Sequence, residues 1–88
     1  MLSEKQCEVA RVMTQDTASD TQINKEYSLM PASEKEVAAK EIGEIVEQYH
    51  IPFDKGIKLM KKDFSDIAAK FSISPSTLFC IYMDSKQK

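Results

Sequence analysis

Apolar positions recur at helical spacing in four stretches of the chain, a pattern that predicts helices and no sheet. In residues 4–13 the apolar face is Leu2, Val9, Val12 and Met13, and Ser3 with Gln6 has the spacing of a capping box. In residues 34–50 the face is Ala38, Ile42, Ile45, Val46 and Tyr49, with Ser33 and Glu36 as a second capping-box pair. Pro52 closes that helix, because a residue before proline is pushed out of the α region. Phe53, Ile57, Met60, Phe64, Ile67 and Phe71 then follow at spacings of 4, 3, 4, 3 and 4. This seam fits one helix from 54 to 71 or two helices parted at Asp63, an acceptable N-cap. The last helix starts after Ser74, with Pro75 at the position where a missing N–H costs nothing, and runs to about Met83.

Residues 14–32 are polar and lack a sustained period, so they predict a loop, with or without a helical turn near Ile23 to Tyr27, or a partly disordered segment. The expected fold is therefore all-α: one domain over residues 1–88, a small bundle of four or five short helices. It divides into an N-terminal helix to residue 13, the polar loop, and a helical core over 33–84 in which the Phe53–Phe71 seam packs on the Ala38–Tyr49 face.

Composition narrows the class. A chain of 88 residues buries only roughly 60–65% of its unfolded surface, which leaves a thin stability margin. Cys7 and Cys80 stand far apart and match no metal-ligand spacing, and a secreted domain this small usually carries more disulfides. No signal-peptide pattern opens the chain and no window is apolar enough to span a membrane, so the expectation is a cytoplasmic protein without a membrane partner. Charge is asymmetric. Residues 1–50 hold five basic and ten acidic groups, a net of −5, and residues 51–88 hold seven and four, a net of +3. That surplus is carried by lysines such as Lys55, Lys58 and Lys62 opposite the seam, a face that reads either as phosphate contact or, more commonly for surface lysines, as a solvated helix face.

Residues 64–83, FSDIAAKFSISPSTLFCIYM, resemble the bacterial and phage helix-turn-helix family. Ile67 and Ala68 match its apolar–small pair, Phe71 the end of its first helix, Ile73 its turn, and Leu78 and Ile81 the inward positions of its second helix. Ser72 stands where the family prefers Gly for a positive φ. The resemblance implies a DNA-binding transcription regulator, often a homodimer, with duplex DNA as partner. Ser65, Lys70, Ser74, Ser76, Thr77 and Lys86 are then the candidate contacts, with Ser76 and Thr77 exposed near a helix N-terminus that attracts phosphate. The second helix carries none of the Arg, Asn or Gln side chains that read bases bidentately.

The other reading is a non-enzymatic protein-interaction module, an adaptor, antagonist or regulatory subunit, that docks through Phe79, Cys80, Tyr82 and Met83. No catalytic residues, metal ligands or cofactor are expected. The single histidine, His50, ends a helix, where a cation suits the dipole.

Overall fold

The computed structural model describes residues 2–49 and 61–86. Five helices are present among them: α1 (Glu4–Thr14), α2 (Asp20–Leu29), α3 (Ala32–Tyr49), α4 (Lys61–Lys70) and α5 (Pro75–Lys86), with no strand. The all-α bundle expected from the apolar spacing is what forms.

Local chemistry sets the helix ends. Ser3 accepts from the Gln6 N–H while the Gln6 side chain accepts from the Ser3 N–H, the reciprocal box read from the sequence. α1 then stops at Gln15, held at φ 55°, with the Gln15 and Asp16 N–H groups returned to the carbonyls of Val12 and Arg11. α4 ends the same way. Ser72 adopts φ 59°, and the N–H groups of Ser72 and Ile73 bond the carbonyls of Ala69 and Ala68. The left-handed turn expected at Ser72 is thus formed by a residue other than glycine.

Three expectations are corrected. Residues 14–32 are not a loop throughout: Asp20–Leu29 form α2, which Ser19 caps by accepting from the Gln22 N–H, and Ile23 is fully buried. α3 begins at Ala32, with the Lys35 N–H already bonded to the Pro31 carbonyl, so Ser33 sits inside the first turn rather than capping it. α5 continues past Met83 to Lys86. Whether 54–71 is one helix, and where Phe53, Ile57 and Met60 lie, falls outside the described residues. Asp63 itself stands in the first turn of α4.

α5 is the axis of the fold, and each of the other four helices packs against it. Its residues from Ser76 to Tyr82 are all buried, seven in succession. A helix that is buried on every face must lie in the centre of its domain. Ile23 of α2, Ala38 and Ile42 of α3, and Phe64, Ile67 and Ala68 of α4 complete the core around it. Phe64 and Phe79 place their rings 6.4 Å apart at a 34° tilt. α1 is tied to α2 by the Leu2 N–H donating to Asn24 Oδ1 at 3.0 Å and by the Arg11–Asp20 ion pair.

Candidate functional site

The chain turns from α4 to α5 through Ser72, Ile73 and Ser74, in the order the helix-turn-helix resemblance implies. What this turn presents is different. Ser76 and Thr77 have no exposed surface. This corrects the expectation that they face outward, and the cause is two carboxylates delivered from elsewhere in the chain.

Asp16, just after α1, accepts at Oδ2 from the Ser76 hydroxyl (2.7 Å) and backbone N–H (3.2 Å). Glu26 of α2 accepts at Oε1 from the Thr77 hydroxyl (2.7 Å), the Ser74 hydroxyl (2.9 Å) and the Ser74 N–H (3.0 Å). Thr14 adds a hydroxyl 3.4 Å from Ser76 Oγ. Buried hydroxyls and a helix N-terminus need acceptors, and the positive end of the helix dipole favours carboxylates there. Burial works to raise the Glu26 carboxyl, yet the hydrogen bonds from Thr77, Ser74 and Gln22 outweigh it and hold Glu26 below its ordinary value. The place that a phosphate would take at this helix end is filled by the protein's own anions.

The other nucleic-acid candidates do not gather around this point. Ser65 is exposed on α4. Lys70, at the end of α4, sits 2.7 Å from Glu41 Oε1. Lys86, at the end of α5, lies over the Tyr82 ring. The protein-docking candidates are also mostly covered: Phe79, Cys80 and Tyr82 are buried, and Met83 is 37% exposed.

Three of those four residues still reach a surface feature that sequence reasoning missed. Between α1 and α5 runs an apolar groove of about 240 Å³, lined by Lys5, Gln6, Val9, Phe79, Cys80 and Met83. Val9 is 43% exposed on its wall, and Val12, one turn further along α1, is 69% exposed. Cys7 and Ala10 are buried, which turns Val9 and Val12 outward; the apolar face assigned to α1 from sequence had placed both valines inward. Burial, with Cys7 and Asp84 adding to it, pushes the Cys80 thiol up to about 12, which keeps it protonated in the groove lining.

A second, more polar hollow lies between α2, α3 and α5. There Tyr27 donates to Asp84 and the Lys35 ammonium stands 3.8 Å from the centre of the Tyr27 ring. These contacts join helices and leave the ring and carboxylate occupied. Among the described residues no group of three or more His, Cys, Asp or Glu side chains could hold a metal, and no helix is long and apolar enough to cross a membrane.

No family model matches the chain, and no curated protein or solved structure shows significant similarity to it.

Proposed function

We propose that this protein is a non-enzymatic protein-interaction module whose docking surface is the groove between α1 and α5, recognising an apolar helical face of another chain. One observation carries the reading. Of the five large apolar side chains left exposed among the described residues, Val9 and Met83 line this groove, and Val12 follows Val9 three residues further along α1. Isolated exposed apolar residues are ordinary, but a cluster bordering a concave apolar floor is the arrangement that partner helices use.

The DNA-binding reading receives less support from the geometry. Insertion of α5 into a major groove requires an exposed face, and its residues from Ser76 to Tyr82 are buried. Any duplex contact is left to exposed lysines, a purely electrostatic mode.

Selection of helical peptides from a naive display library on the folded protein tests the proposal. Independent binders should converge on Val9, Val12 and Met83 in amide shift maps, and Val9→Glu should abolish their binding. Binders that map elsewhere, together with duplex DNA binding at about 50 mM salt that weakens steeply on adding salt, would replace the reading with the nucleic-acid one.

A further inference from the structure

We draw no further inference here: the strongest candidate, the apolar groove between α1 and α5 lined by Val9, Phe79, Cys80 and Met83, belongs to the site already described, and nothing in the structure shows what covers it.

Discussion

The Thr77 hydroxyl donates a 2.7 Å hydrogen bond to Glu26 across 51 residues of chain, and so fastens the start of α5 to α2. Glu26→Ala would leave the Ser74 N–H and one of the Ser74 and Thr77 hydroxyls without an acceptor, since the two hydroxyls lie 2.9 Å apart and only one can donate to the other. Hydrogen bonds to charged groups contribute roughly 1.5–3 kcal/mol each, but water reaches the partly exposed site, so a total loss of about 2–3 kcal/mol is expected. Urea unfolding measures it. Glu26→Gln, which keeps one acceptor oxygen, should cost less.

The same carboxylate makes stability depend on acid. Glu26 is held below its ordinary value in the folded protein, so its contribution is fully present above the unfolded-state pKa and is lost as pH falls through the folded one. Unfolding midpoints of the wild type should therefore fall in that acid window, and Glu26→Gln should flatten that part of the profile. Parallel profiles for the two proteins would show that the Glu26 contacts do not hold the fold.

Tyr27 titrates in the opposite sense. Burial, then the hydrogen bond to Asp84 and its charge, pushes the phenol up to about 12. A raised pKa means the contribution is present below the unfolded value and disappears as pH rises through about 12. In Tyr27→Phe the alkaline loss of stability should be smaller, as followed by tyrosinate absorbance alongside circular dichroism.

Replacing Ser76 or Thr77 by Glu should unfold the domain rather than act on a surface. Each change sets a new buried charge beside Asp16 or Glu26, at a cost of about 3–5 kcal/mol, a large share of the stability of so small a domain. Thermal melts should show a lost or strongly lowered transition. Ser72→Gly should do the reverse, relieving the side chain at φ 59° and adding about 0.5–1 kcal/mol.

These residues also show what could be read from the sequence and what could not. Caps are local, and Ser3 with Gln6, Ser74 before Pro75, and the turn at Ser72 were legible because each depends on neighbours within a few positions. α2 was not. Its apolar positions are few, and its polar residues Asp20, Asn24 and Glu26 turn inward to Arg11, the Leu2 N–H and the start of α5, contacts that no local pattern shows. Ser76 and Thr77 look like surface residues because the acceptors that allow their burial lie 60 and 51 residues away. One available sign of their environment was the run from Leu78 to Met83, which has no charged or amide side chain over six positions. Such a run belongs to a central helix.

The position of α5 decides between a helix that is presented and one that holds the domain together, and native-state hydrogen exchange measures it directly. Exchange of the Leu78 to Tyr82 amides, followed in low denaturant, should proceed only through global unfolding, with the highest protection in the chain and the full denaturant dependence of the unfolding transition. Exchange of these amides through a smaller opening, at a free energy below that of the α1 and α4 amides, would contradict the account.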